Sequence, residues 1–244
     1  MNFELIPVRL HKLAVALSHP HCWPALSLGV APSAEHLAIL RQLQVDGIID
    51  VGANRGQFSL ACSIALPRVP VVAFEPIPVE ASTFRRVHCG NSHVRLIESA
   101  LGETPGTATL HLSQSADSSS LLPIGRRQTD LFQNTVEVGT IEVPVQRMDD
   151  LCEYWPAKRR QLLKLDVQGF ELNVLKGSVE TLRSCTFVYA ECSEVALYDG
   201  QALRDEVELF LTSAGFRQRG RFNDLIRKGQ LIQADYLFER IPEP

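Results

Sequence analysis

Gly47-Ile48-Ile49-Asp50-Val51-Gly52-Ala53-Asn54-Arg55-Gly56-Gln57-Phe58 decides the fold. Its first five residues are an apolar run of strand length, its glycines punctuate a turn, and a helical pattern opens behind Gly56 over 57–66. The same unit recurs outward from it. Apolar runs at 70–74, 93–97, 162–166 and 186–191 alternate with helical patterns at 79–88, 171–176 and 203–214. Two closing strands are predicted at 216–221 and 232–240, and a strand pair at 107–112 and 140–145. Such alternation implies an α/β fold, with a mostly parallel sheet covered on both faces. Ligands of such sheets bind beyond the carboxyl ends of the strands.

The segment before this pattern differs. Leu10, Leu13, Ala14 and Leu17, then Leu37, Leu40 and Leu43, recur at helical spacing around the loop-like stretch 19–24. The chain therefore divides into an N-terminal helical cap at 1–46 and a main domain at 47–244. Ser113 to Ser120 holds five serines and Asp117, and reads as a mobile loop near the ligand edge.

Composition closes off other classes. The 244 residues are 45% apolar and 21% charged, which excludes a disordered chain. Acids outnumber bases 28 to 24, so no basic surplus suggests a nucleic-acid partner. Arg217, Arg219, Arg221, Arg227 and Lys228 cluster locally and read as a solvated sheet face. No apolar run reaches the ~18 residues of a membrane span. The six cysteines are scattered without a C-x-x-C, which fits free thiols in a reducing compartment. The N-terminal residues lack a secretory pattern, so a cytoplasmic address is expected. A homo-oligomer is compatible with the sequence.

The chemistry is carried by residues at strand ends. The turn holds G-x-x-x-G, from Gly52 to Gly56, with Asp50 two residues before it. A nicotinamide-dependent oxidoreductase would present G-x-G-x-x-G and no acid facing the pyrophosphate. A carboxylate here suits an ammonium group, and a helix N-terminus suits a carboxylate. S-adenosylmethionine carries both. Glu75, ending the second strand before Pro76, is placed to accept ribose hydroxyls. Ser99 and Ala100 end the third strand, where an adenine would lie. Asp166 and Glu171 flank Gly169, and Glu191 ends the next strand. Asp166 and Glu191 are expected to converge, with Asp166 as the first candidate for a catalytic base, the two together as a Mg²⁺ pair, and Glu191 and Glu171 as further catalytic candidates; no histidine reads as a general base.

Taken in order, the glycine loop, Phe74-Glu75-Pro76, Ala100-Leu101-Gly102, Leu165-Asp166-Val167-Gln168-Gly169-Phe170-Glu171 and Asp235-Tyr236-Leu237-Phe238 resemble the FkbM family of S-adenosylmethionine-dependent methyltransferases. The resemblance spans about residues 46–240. It implies a Rossmann-like class I methyltransferase fold of seven strands, the last antiparallel, and O-methylation of a sugar, glycan or natural product. It further implies that Asp50, Gly52, Ala53, Asn54 and Gly56 hold the methionine end of the cofactor. Glu75 and Pro76 would hold the ribose, and Ser99 with Ala100 the adenine. Asp166 would lie near the transferred methyl. The family's fourth motif reads D-V-E-G, whereas this chain has Gln168. A binding module without catalysis is the competing reading of that change.

Overall fold

The computed structural model describes residues 5–154 and 160–242, with side chains from residue 10 onward. The expected segments 1–46 and 47–244 include 1–4, 155–159 and 243–244, which lie outside the described residues. Helices α1 (Leu5–Leu17), α2 (Trp23–Ser27) and α3 (Leu37–Leu40) lead into strand β1 (Gly47–Val51). There follow α4 (Gln57–Ala65), β2 (Val71–Phe74), α5 (Pro78–Val87), β3 (Val94–Ile97), β4 (Ala100–Leu101) and β5 (Gly106–Ser113). Next come α6 (Arg126–Leu131), β6 (Glu137–Gln146), β7 (Gln161–Leu165), α7 (Glu171–Lys176), α8 (Val179–Ser184) and β8 (Cys185–Ser193). The chain closes with α9 (Arg204–Ser213), β9 (Phe216–Arg227) and β10 (Gln230–Arg240).

The main sheet has seven strands in the order β3-β2-β1-β7-β8-β10-β9. Strand β10 is antiparallel to both of its neighbours, and the other pairings are parallel. Strand order reverses beside β1, so the crevice of a doubly wound sheet falls at the ends of β1 and β7. The expected strand pair is present as β5 and β6, and β4 joins it to make a second, three-stranded sheet. The closing strands run longer than the sequence suggested. Their distal ends pair only with each other, as in Leu231 with Ile226, and mix apolar and polar residues without a regular alternation.

One face of the central strands is apolar throughout and the other is not. Ile49, Val51, Leu163, Leu165, Val188, Ala190 and Phe238 face a single core packed by α7, α8 and α9. The opposite face begins apolar, with Ile48, Leu162, Phe187 and Leu237 packed on Phe58, Leu37 and Leu40. It ends polar. Strand alternation places Asp50 above Ile48, Lys164 above Leu162, and Tyr189 and Glu191 above Phe187. On the antiparallel β10 the polar partner is Asp235, which pairs with Glu191. The N-terminal helices cover this face. Ala16, Cys22 and Ala25 pack on Leu60 of α4 and Val87 of α5, while α3 shares a core with β1, β7 and β8.

All six cysteines are free, and four are buried. Arg217 and Arg219 of β9 pair with Glu239 of β10, and Arg221 pairs with Asp224, so most of the basic cluster is neutralised in place. Among the described residues no helix is long and apolar enough to cross a membrane.

The crossing of β1 and β7 is so close that only glycine fits at residue 52. A Cβ there would lie 1.8 Å from the carbonyl oxygen of Asp166, at a φ of +75°. Gly29 has a φ of +72° with nothing within 4 Å. Gly29→Ala should therefore cost about 1 kcal/mol from backbone strain alone, and Gly52→Ala about 3 kcal/mol or more. Urea unfolding of the two variants measures the difference.

Candidate functional site

A cavity of about 350 Å³ opens over the carboxyl ends of β1, β2, β7 and β8. Its floor is the glycine turn. Gly52, Asn54 and Gly56 all have positive φ, which folds the chain back immediately after β1. The amides of Gly52 and Ala53 both donate to the carbonyl of Phe74, stitching the turn to β2. Gly56 backs onto His88 of the α5 end, and a Cβ would come within 2.5 Å of its ring.

At one end of the cavity stands Glu75. It is buried, and its two oxygens accept the amides of Asn54 at 2.8 Å and Ile77 at 2.7 Å. Burial pushes its carboxyl up to about 7 against those two hydrogen bonds. A carboxylate has about four lone-pair sites, so two remain for a ligand. Ser99 lies alongside, with Pro76, Ile77, Ala100, Leu101 and Leu110 lining the same corner. Its side chain is fully buried, and its hydroxyl meets no hydrogen-bond partner among the described residues. Buried hydroxyls rarely stay unpaired, so this corner is shaped for a polar ligand edge between apolar walls.

The middle of the cavity is a charge cluster organised by Lys164. Its ammonium lies 3.1 Å from Asp50 and 3.6 Å from Asp166, and donates to the carbonyls of Val51 and Gly52. Burial opposes its charge, yet Asp50 and Asp166 hold its pKa above the ordinary lysine value. Asp50 also accepts the hydroxyl of Ser59 at 2.7 Å. It is fully buried, behind the cavity wall rather than on it.

Asp166 and Glu191 do converge, as their neighbouring strands require. What sits between them is the side-chain amide of Gln168. Its nitrogen donates to Asp166 at 2.8 Å and to Glu191 at 2.9 Å. Its oxygen accepts the hydroxyl of Tyr198 at 2.9 Å, which fixes the amide's orientation. In the corner where a cation was expected, the two carboxylates share an amide donor. Burial, with the nearby charge of Asp166, pushes the Glu191 carboxyl well above its ordinary value. Among the described residues no group of three or more His, Cys, Asp or Glu side chains is arranged to hold a metal ion.

The far side of the cavity was not anticipated. His36 of the N-terminal segment, Tyr189 of β8, Asn223 of β9 and Asp235 of β10 meet there. Tyr189 and Asn223 both donate to the Oδ2 of Asp235, at 3.1 and 2.6 Å. The serine-rich loop forms the rim through Ala116, Asp117, Ser119 and Ser120. Rather than hanging free, it is tied down. Ser120 donates to the Gln168 carbonyl at 2.8 Å, and Tyr198 lies 3.0 Å from the Ser118 carbonyl.

Of the residues singled out in the sequence, Gly52, Ala53, Asn54, Glu75, Pro76, Ser99, Ala100, Asp166 and Glu191 line this one cavity. Asp50, Gly56 and Glu171 do not. Glu171 is buried at the start of α7, where one oxygen accepts the amides of Val167 and Gly169, at 3.2 and 3.0 Å. It therefore shapes the loop that carries Gln168 and faces away from the cavity. Lys164, His36, Tyr189, Asn223 and Asp235 were missed. Lys164 had a signal, being a lone cation inside the apolar run 162–166. His36 had none, because its hydrogen-bond partners Tyr189 and Asn223 lie more than 150 residues away.

Gln168→Glu would set a third carboxyl 2.8 to 2.9 Å from two others. Like charges at that spacing force proton uptake or cation binding. The variant should lose about 2–3 kcal/mol at pH 8 and much less at pH 5.5, with Mg²⁺ restoring part of the loss. Thermal unfolding at both pH values, with and without Mg²⁺, measures this.

Comparison with known proteins agrees with the geometry. The methyltransferase FkbM domain model matches residues 50–218. The chain is 29% identical to the 2-O-methyltransferase NoeI of Sinorhizobium fredii, over 75% of this chain and 80% of that one. It is 31% identical to the hexuronic acid methyltransferase AglP of Haloferax volcanii, over 63% and 59%. In fold it is similar to a putative rRNA-methylase from Clostridium thermocellum, with a TM-score of 0.51 at 9% identity, covering 86% of this chain and 96% of that one. The seven-stranded sheet, the crevice at its switch point and the matched span together make this chain a member of the FkbM family of methyltransferases.

Proposed function

We propose that the chain transfers a methyl group from S-adenosylmethionine to a hydroxyl of a sugar, glycan or related natural product. The observation that carries this reading is the two-ended cavity. A buried acid and an unpaired buried serine hydroxyl stand at one end, and a dense set of polar side chains stands at the other. Glu75 fits the ribose, since its remaining lone pairs can accept two vicinal hydroxyls. Ser99, between Ala100 and Leu101, fits the adenine edge. Gly52, Ala53 and Asn54 fit the methionine end, close to Lys164 and the start of α4. The similarity to NoeI and AglP supports a hydroxylated acceptor.

When bound, the cofactor supplies an activated methyl on a sulfonium, so the protein need only align and desolvate the reacting atoms. Asp166 would face that methyl. Its side chain is 39% exposed and opens to the cavity, where it can accept a hydrogen bond from the acceptor hydroxyl. Gln168 bridges Asp166 and Glu191 through its amide nitrogen. Glu171 serves the loop. The residues up to 46 would form the wall that encloses the acceptor, with His36 as its contribution to the cavity. Mg²⁺ does not fit this donor set. The corner between Asp166 and Glu191 holds the Gln168 amide, and a buried ammonium already balances the charge.

Three measurements test this. S-adenosylhomocysteine, and not NAD, should raise the melting temperature. Mass spectrometry should then find methyl transfer to at least one member of a panel of neutral glycosides, amino sugars, uronic acids and polyhydroxylated scaffolds, and EDTA should leave that transfer unchanged. Cofactor binding without transfer to any acceptor would favour the non-catalytic module. The pH dependence is also fixed in sign. Ribose hydroxyls donate to the ionised form of Glu75, whose free pKa is about 7. Binding therefore releases a proton, and S-adenosylhomocysteine should bind more tightly as pH rises from 6 to 8. Glu75→Gln should flatten that dependence and weaken binding about tenfold or more, read by calorimetry.

A further inference from the structure

Methyl transfer to a hydroxyl oxygen releases one proton, and a group within hydrogen-bond reach must take it. Most acids in the cavity are committed elsewhere. Glu191 accepts the Gln168 amide at 2.9 Å in the corner it shares with Asp166. Asp166 is bracketed by the Gln168 amide at 2.8 Å and the Lys164 ammonium at 3.6 Å, so protonating it would dismantle an ion pair. Glu75 stands at the opposite end, on backbone amides.

His36 is arranged differently. Its ring stands edge-on to Phe58 and Tyr189, with centroids 5.3 and 5.6 Å away. Its Nδ1 lies 3.1 Å from the Tyr189 hydroxyl oxygen. Since that hydroxyl donates to Asp235, its oxygen can accept from Nδ1–H; the Asn223 amide nitrogen also lies 3.3 Å from Nδ1, but its two hydrogens can go to Asp235 at 2.6 Å and the Tyr189 oxygen at 3.3 Å. A proton on Nδ1 leaves the lone pair on Nε2. The nearest ionic partner of Nε2 is Glu35, at 3.9 Å, beyond hydrogen-bond range. Burial keeps the imidazole neutral at physiological pH, the form that can accept a proton.

We propose that His36 is the catalytic base of the transfer and that Tyr189 and Asp235 are positioning residues that fix its tautomer, an assignment that rests on the O-methyl transfer proposed for the chain. In the step, the acceptor oxygen bonds the methyl carbon and the S–C bond breaks, leaving its electron pair on sulfur as a thioether. The acceptor O–H bond breaks and its proton passes to Nε2. The imidazolium that forms lies 3.6 Å from Asp235 and 3.9 Å from Glu35. The charged and titratable groups facing it are Glu35 beside it, Lys12 of α1 paired with Glu35, Lys164 of β7, Asp166 just after β7, Tyr189 of β8 and Asp235 of β10.

The tautomer can be read without knowing the acceptor. Nitrogen-15 NMR of the full chain with S-adenosylhomocysteine bound should show His36 as the Nδ1–H form. Tyr189→Phe should move it toward Nε2–H, and Asp235→Asn should do the same. An Nε2–H form in the wild type would overturn the proposal, because no lone pair would face the acceptor. Failure to bind S-adenosylhomocysteine would instead remove the methyl-transfer reading itself. In the neutral glycoside turned over best, His36→Gln should lower kcat by about 10² or more at constant KM and constant cofactor affinity. It should also erase the acidic limb of the pH–rate profile, and imidazole should partly rescue His36→Ala. An unchanged kcat in His36→Gln, with the acidic limb lost only in Asp166→Asn, would assign the proton to Asp166.

Discussion

The ammonium of Lys164 is the one charge that the functional edge cannot do without. It lies in the strand layer and touches Asp50, Asp166 and two backbone carbonyls of the glycine turn. Without it, two carboxylates would face one another across β1 and β7 in a region of low dielectric, and each would tend to protonate. With it, Asp50 can be fully buried, the turn carbonyls are satisfied, and Asp166 can open toward the cavity. Removing one partner of such a network leaves an uncompensated buried charge, a far larger penalty than the net value of the pair. The turn geometry, the position of Asp166 and, through Gln168, the position of Glu191 all follow from this contact.

A second constraint is the asymmetry of the sheet. The face packed by α7, α8 and α9 stays apolar to the ends of the strands. The face covered by the N-terminal helices changes from apolar to polar within each strand. Strand alternation then delivers Asp50, Lys164, Asp166, Tyr189, Glu191 and Asp235 to one side. The crevice exists because that side is too polar to be closed by packing and too enclosed to be flooded.

The sequence made the scaffold legible because strand ends announce themselves. Asp50, Glu75, Asp166 and Glu191 each terminate an apolar run, and three of the four line the cavity. Asp50 was identified as part of the edge, but its partner was not. That partner is Lys164, and recognising it requires the register that sets Asp50 beside Lys164 across β1 and β7. Glu171 looked like a catalytic acid by proximity to Asp166; only the course of the 167–170 loop shows it turning inward to hold two amides. The His36, Tyr189, Asn223 and Asp235 group was invisible for the same reason. Its members come from four elements, and no local spacing joins them. The substitution at Gln168 could be seen, but its meaning depended on finding two carboxylates at its amide nitrogen.

Two of those four residues, Asn223 and Asp235, ride on the hairpin of β9 and β10 at the border of the main sheet, while the groups assigned to the adenosine lie across the sheet around β1, β2 and the β3 end. On the proposed assignment, the groups for the donor and those at the far side of the cavity come from separate pieces of chain. Leu225 and Gln233 of the same hairpin also line the cavity, so on that assignment substitutions there would reach its far side while leaving Asp235 and the adenosine end in place.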